Sequence, residues 1–123
     1  MKVIKPGDRL QGELRMPPGQ FAGNVAQVPL HETEQPTRES FVHFEPGAHT
    51  HWHSHAGGQL LHILEGQASV QAWGEELQAL SAGDTLVAAP GEKHWHGAAA
   101  NTAMTQLAIT SGEVTWLEEV DTE

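Results

Sequence analysis

Nine histidines stand in a chain of 123 residues that has no cysteine, and five of them fall between Gly47 and Gly66, in GAHTHWHSHAGGQLLHILEG. Imidazole nitrogen is the commonest protein ligand for divalent first-row metals. Side chains alternate along an extended strand, so His51, His53 and His55 share one face there, and His94 and His96 share another. Two such strands facing each other inside a barrel converge on one point. Three histidines and an oxygen donor hold a metal with positions left open for water or substrate. With no thiolate available, every ligand has to come from His, Asp, Glu or Gln. A single His-x-His carries little weight. Its conjunction with a distant second histidine pair and with turn glycines is what makes it informative.

The elements that position these residues read as strands. The chain is punctuated by Gly, Pro and short β-type runs, and no long helical period occurs. A first short strand is expected at residues 2–5, followed by a loop from Pro6 to Gly19 that contains Pro17 and Pro18. A second strand is expected over 22–30, at an edge because of Gly23 and Pro29, and a polar connection ends at Pro36. From Glu39 to Glu45 alternation is strict, with Ser40, Val42 and Phe44 on one face and Phe41, His43 and Glu45 on the other. Further strands are expected at 49–53, 59–65, 67–73, 77–80, 85–89, 94–98, 103–110 and 114–117, with Gly66 as a tight turn between two of them. Many short strands with frequent turns indicate an all-β sandwich or barrel, and closure into a barrel removes most exposed edges.

Composition limits what such a site is built into. The length suits one domain over 1–123, with N-terminal strands and loops at 1–35, a barrel core at 36–117 and an acidic tail at 118–123; such a chain buries roughly two thirds of its unfolded surface. Six basic and 16 acidic residues give a formal net charge of -10, which argues against nucleic acid or an anionic membrane as partner. Lys93 is the only Lys or Arg after Glu39. The tail acids Glu113, Glu118, Glu119, Asp121 and Glu123 read as a solvated end without chemistry. The opening MKVIKPGDRL lacks the apolar core of a signal peptide, and no run has the apolar length of a membrane span, so a cytoplasmic location is expected.

Two motifs in the chain resemble those of the cupins, small jelly-roll-like β-barrels. The first cupin motif is Gly, five residues, His-x-His, three or four residues, Glu, six residues, Gly. Gly47, His53, His55 and Gly66 match it, with Gln59 in place of Glu. The second is Gly, five residues, Pro-x-Gly, two residues, His, three residues, Asn. Gly83, Gly91 and His94 match it, while Ala89 and Ala98 replace the Pro and the Asn. The resemblance implies that His53, His55, Gln59 and His94 are the protein ligands of a divalent first-row metal. Manganese is expected first, with iron, nickel, cobalt and zinc as alternatives. A neutral amide does not offset the metal's charge as a carboxylate does, so the metal keeps fuller Lewis acidity and the expected chemistry shifts from oxygen activation toward polarising a carbonyl, hydroxyl or nitrile.

Within the cupins the chain resembles the manganese-dependent bacterial hydroxynitrile lyases in FEPGA (44–48), WHxH (52–55), PGEKHWHGAA (90–99) and TAMTxLAI (102–109). Those enzymes cleave cyanohydrins to an aldehyde and hydrogen cyanide and run the reverse addition. They carry a further histidine where this chain has Gln106, so the resemblance leaves proton transfer to His96 or Gln106. Similar His-His-Gln-His sites occur in small cupins that act on unsaturated uronate sugars. A cupin dioxygenase and a non-catalytic small-ligand-binding cupin are the remaining alternatives. Ser40, Val42, Phe44, Gln106 and Thr110 are expected to wall a small, mainly apolar pocket. Trp52 and Trp95 alternate away from the ligands and are expected to pack between sheets or subunits, and Lys93 is expected to face solvent. The family resemblance also implies a homodimer, or a higher homo-oligomer, formed through exchanged N-terminal strands.

Overall fold

The computed structural model describes residues 1–17, 19–31 and 36–121. The expectations at Pro18, in the polar connection before Pro36 and at Glu123 therefore lie outside the described residues. A 3-10 turn at Pro6–Asp8 precedes twelve strands: β1 (Leu14–Arg15), β2 (Phe21–Ala22), β3 (Val25–Pro29), β4 (Thr37–Phe44), β5 (His49–Thr50), β6 (His53–His55), β7 (Gln59–Ala72), β8 (Gln78–Ser81), β9 (Thr85–Ala88), β10 (His94–Ala98), β11 (Met104–Ser111) and β12 (Val114–Trp116). No α-helix occurs among the described residues, and no helix is long and apolar enough to cross a membrane. The result is a nearly closed, all-β barrel.

The barrel is two antiparallel layers sharing one strand. The first half of β7 pairs with β11 and β9, and the second half pairs with β10 and β8. One layer runs β1-β3-β4-β11-β7, and the other continues through β10, β5 and β2, with β6 paired to β10 and β12 paired to β6. The tight turn expected at Gly66 is not there: β7 runs unbroken through it. Register between β7 and β11 slips next to it, since Thr105 is opposite Glu65 while Gln106 is opposite Ile63. The skipped Leu64 makes a bulge, which bends the strand and lets it pass from one layer to the other.

Other expectations shift locally. Residues 2–5 form no strand, and the loop at 6–19 contains β1, which pairs with β3 of the same chain. The expected strand at 22–30 is divided at Gly23, whose φ is +81°, into β2 and β3. The strand expected at 49–53 ends at Thr50, and His53 begins another. The acidic tail is tied to the barrel, because Trp52 N–H donates to the Glu118 carbonyl at 3.0 Å and Lys93 Nζ lies 2.7 Å from Glu118 Oε1.

Alternation along β3, β4, β11 and β7 stacks inward side chains in cross-strand rows. The row Val25, Phe44, Met104 is wholly apolar and belongs to the buried core. The next, Gln27, Val42, Gln106, Ile63, mixes polar and apolar groups. The last, Arg38, Thr110, Gln59, is polar. Phe44 and Met104, fully buried and each contributing about 1.5–3 kcal/mol, close one end of the barrel, and Leu61 and Ile63 extend the core along β7. The polar rows stand at the other end, where the histidines gather.

Candidate metal centre

Strand β10 delivers two histidines. His94 and His96 share one face, while the intervening Trp95 donates its indole N–H to Gln71 Oε1 at 2.9 Å. Strand β6 lies beside β10 with His53 in register with His94, and their ring centroids are 4.4 Å apart. The two histidine strands are thus neighbours in one layer and do not face each other across the barrel. The ligand candidate from the other layer is Gln59, at the start of β7.

Hydrogen bonds behind the rings decide which nitrogen points to the centre. His53 Nδ1 donates to the His51 carbonyl oxygen and His94 Nδ1 to the Glu92 carbonyl oxygen, each at 2.9 Å. A carbonyl oxygen only accepts, so each Nδ1 carries the proton. Burial, reinforced by the nearby His94, pushes the His53 pKa down to about 3. Burial also lowers that of His94, against the opposing pull of its Glu92 partner. Both rings are therefore neutral at pH 7, with a bare Nε2. Gln59 Oε1 lies 3.0 Å from His94 Nε2. Both atoms are acceptors, and no proton is available to join them. A cation within reach of both lone pairs resolves that conflict.

His55 points the same way. Both of its ring nitrogens are buried without a well-formed hydrogen bond, although the Gln59 side chain approaches the ring. Its centroid is 4.9 Å from that of His53 and 5.7 Å from that of His94. Burial, followed by the charges of His94 and Arg38, brings its pKa down to about 4. An unpartnered, neutral, buried imidazole is costly in a protein interior and is the form that ligates metals.

His96 completes the cluster more closely than the motifs imply. Ligand atoms of His53, His94 and His96 all lie within 4.8 Å of one another, so the tightest histidine triad contains His96 and not His55. The His96 ring meets Phe44 edge-on at 5.8 Å, and its Nδ1 is buried without a partner. Burial, then the charges of His53 and His94, holds its pKa well below the usual value. Neutral nitrogens and an amide oxygen make a donor set that fits a divalent first-row ion.

A cavity of about 750 Å³ opens onto this cluster, with His53, His55, Gln59, His96 and Gln106 on its wall. His94 is absent from that wall and borders a second cavity of about 280 Å³ lined by β8 and β9. Of the expected pocket residues, Ser40, Val42, Gln106 and Thr110 line the larger cavity, whereas Phe44 is fully buried in the core. The polar wall residues are not equivalent. Ser40 Oγ accepts from Gln27 Nε2 at 2.9 Å. Gln106 is 1% exposed, and its Oε1 and Nε2 make no well-formed hydrogen bond, although the side chain lies close enough to His96 to raise its pKa slightly against the effect of burial.

Two aromatic wall residues lie outside the motifs. Phe21 and Trp116 approach to 5.3 Å, and Trp116 stands 4.8 Å from His53. Period-two alternation over 114–116 puts Val114 and Trp116 on one face, and only the tertiary structure makes that face the cavity wall. Lys93 is not free in solvent, since besides Glu118 its Nζ sits 3.3 Å over the Trp73 ring. Trp52 joins this outer cluster at 4.9 Å from Trp73. His43 and His62 bond to threonine hydroxyls away from the centre.

The cupin domain family matches residues 40–110, more than half of the chain. The chain belongs to the cupin family. This cupin is 39% identical over 129 residues to an (R)-mandelonitrile lyase of Granulicella tundricola, an alignment covering 100% of this chain and 97% of the relative. Its fold is shared with a cupin-like protein from Thermotoga maritima at a TM-score of 0.85, with 36% identity over 88% of this cupin and 86% of that chain. An acetylacetone dioxygenase from Acinetobacter johnsonii has a TM-score of 0.73 at 14% identity, covering 96% of this chain and 78% of that one. At that identity the likeness concerns the fold, which hosts more than one chemistry. The all-β cupin barrel expected from the two motifs is therefore borne out.

Proposed function

We propose that this cupin is a metal-dependent lyase that cleaves and forms small cyanohydrins, with His53, His55, Gln59 and His94 holding a divalent metal, manganese first among the candidates. The observation that carries the reading is the pair of acceptors His94 Nε2 and Gln59 Oε1, 3.0 Å apart with no proton between them. The 39% identity to a mandelonitrile lyase supports the substrate class. The metal supplies Lewis acidity toward the substrate oxygen.

The chain's own residues then have distinct tasks. His96, kept neutral by burial, takes the hydroxyl proton on its imidazole ring as the carbon–cyanide bond breaks and its electron pair leaves with cyanide. Gln106 Nε2 donates to the nitrile nitrogen, which gains negative charge, and His96 returns the proton to give hydrogen cyanide. Phe21 and Trp116 form an aromatic wall for the aldehyde portion. The same reading carries a homodimer, checked by the molar mass in solution. The deciding assay is mandelonitrile cleavage by manganese-loaded and metal-free protein. Equal rates, or none with either, overturn the reading.

One feature favours a second substrate class. Arg38 lines the cavity and is held by a bond from its guanidinium to the Gly112 carbonyl at 2.6 Å. A fixed cation at this position suits a carboxylate, as in an unsaturated uronate. Turnover of such a sugar, lost in Arg38→Ala, in place of mandelonitrile cleavage would establish that reading.

A further inference from the structure

We propose that Thr110 is a positioning residue that allows the amide oxygen of Gln59 to face the histidines by accepting from the amide N–H; the inference rests on the metal-holding role assigned to Gln59 above. The two ends of a glutamine amide are nearly the same size, and only the oxygen end can ligate a cation. Orientation is therefore set by what each end meets. At the inner end stands His94 Nε2, a bare acceptor that by itself attracts the amide N–H and so favours the wrong orientation. At the outer end Gln59 Nε2 donates to Thr110 Oγ1 at 3.0 Å.

That second bond is built into the fold. Thr110 of β11 and Gln59 of β7 are register partners, so the backbone ladder fixes their separation. Both side chains are buried, at 7% and 8% exposure, so water does not readily replace the hydroxyl. A hydroxyl accepts as well as donates, and Thr110 thus satisfies the amide N–H when the oxygen faces the metal. Without it, the metal-holding orientation leaves a buried N–H with no acceptor, whereas the reversed amide still donates to His94 Nε2. Buried N–H groups without partners are among the rarest features of folded proteins. A hydroxyl-free residue at 110 accordingly biases the site toward the orientation that presents N–H to the cation.

The test titrates Mn²⁺ into chelator-treated, full-length protein by calorimetry. Thr110→Val keeps the side-chain volume and is expected to weaken Mn²⁺ binding by about 10- to 100-fold, while Thr110→Ser, which retains the hydroxyl, stays within about threefold of the parent. The control for packing is the same change in a Gln59→Glu background. A carboxylate presents an oxygen whichever way it turns, so the Thr110→Val penalty shrinks there to a small fraction of its value. Thr110→Ala serves the same purpose if the valine variant is insoluble. Parent-like affinity in Thr110→Val, or an equal penalty in both backgrounds, overturns the positioning role. A parent protein that binds no Mn²⁺ instead overturns the metal reading beneath it.

Discussion

A Cβ on Gly66 would lie 1.8 Å from the carbonyl oxygen of Ala103. The two meet where β7 crosses between layers, and Gly66 is held there at a φ of +79°. Any side chain combines a left-handed backbone with a collision against main chain that cannot swing aside. Gly66→Ala is expected to destabilise the protein by more than about 4 kcal/mol. Thermal or denaturant unfolding of the soluble fraction checks this, and a loss below about 1 kcal/mol contradicts the close approach.

The metal content of two single variants separates ligand from base. His55→Ala is expected to lose the bound metal, and His96→Ala to keep it while mandelonitrile cleavage falls by about 100-fold or more. Elemental analysis of each purified variant, beside a rate measurement, distinguishes them. The reverse pattern of metal content would make the compact triad of His53, His94 and His96 the ligand set.

Gln106 lines the cavity beside His96, and its buried amide atoms make no well-formed hydrogen bond. Gln106→Leu keeps much of the shape and removes both hydrogen-bonding atoms, and it is expected to lower kcat by about tenfold or more with little change in metal content. Gln106→His places a titratable group at the position where similar lyases carry histidine, and cleavage is expected to rise. Unchanged rates in both variants would remove Gln106 from the reaction.

Acid sensitivity follows from the histidines. The folded-state pKa values of His53 and His55, about 3 and about 4, lie below the ordinary 6.5. Below pH 6.5 the unfolded chain binds protons that the folded chain refuses, so stability falls with pH. That loss continues for each group until its folded pKa is reached. The melting temperature of metal-free protein is expected to decline steadily from pH 7 to pH 4, and the decline to be smaller in a His53→Ala, His55→Ala double variant. A flat profile would show that the rings are not held neutral.

Much of this barrel was written locally. Strand β10 starts and ends where its residues predict, because alternating residues between a Pro-Gly turn and a run of alanines leave little choice. The inward face of β4 was also readable from alternation, although Phe44 proved to belong to the core and not to the cavity wall. Gly66 looks like a turn from its neighbours alone, because a positive φ in a turn and one beside a strand bulge leave the same local mark. What distinguishes them is the chain opposite, and Ala103 is 37 residues away in the sequence.

The amino-acid sequence by itself determined the all-β class, the two glycine-and-histidine motifs and the candidates His53, His55, Gln59 and His94, since these depend on residue type and on a strand period of two. Tertiary structure decided everything that depends on which strands lie side by side. It put His53 opposite His94, brought His96 into the tightest triad and set Phe21 and Trp116 on the cavity wall. It also placed Thr110 against Gln59. Pairing register is a property of two strands together, and a one-residue slip would carry every one of these side chains to the other face.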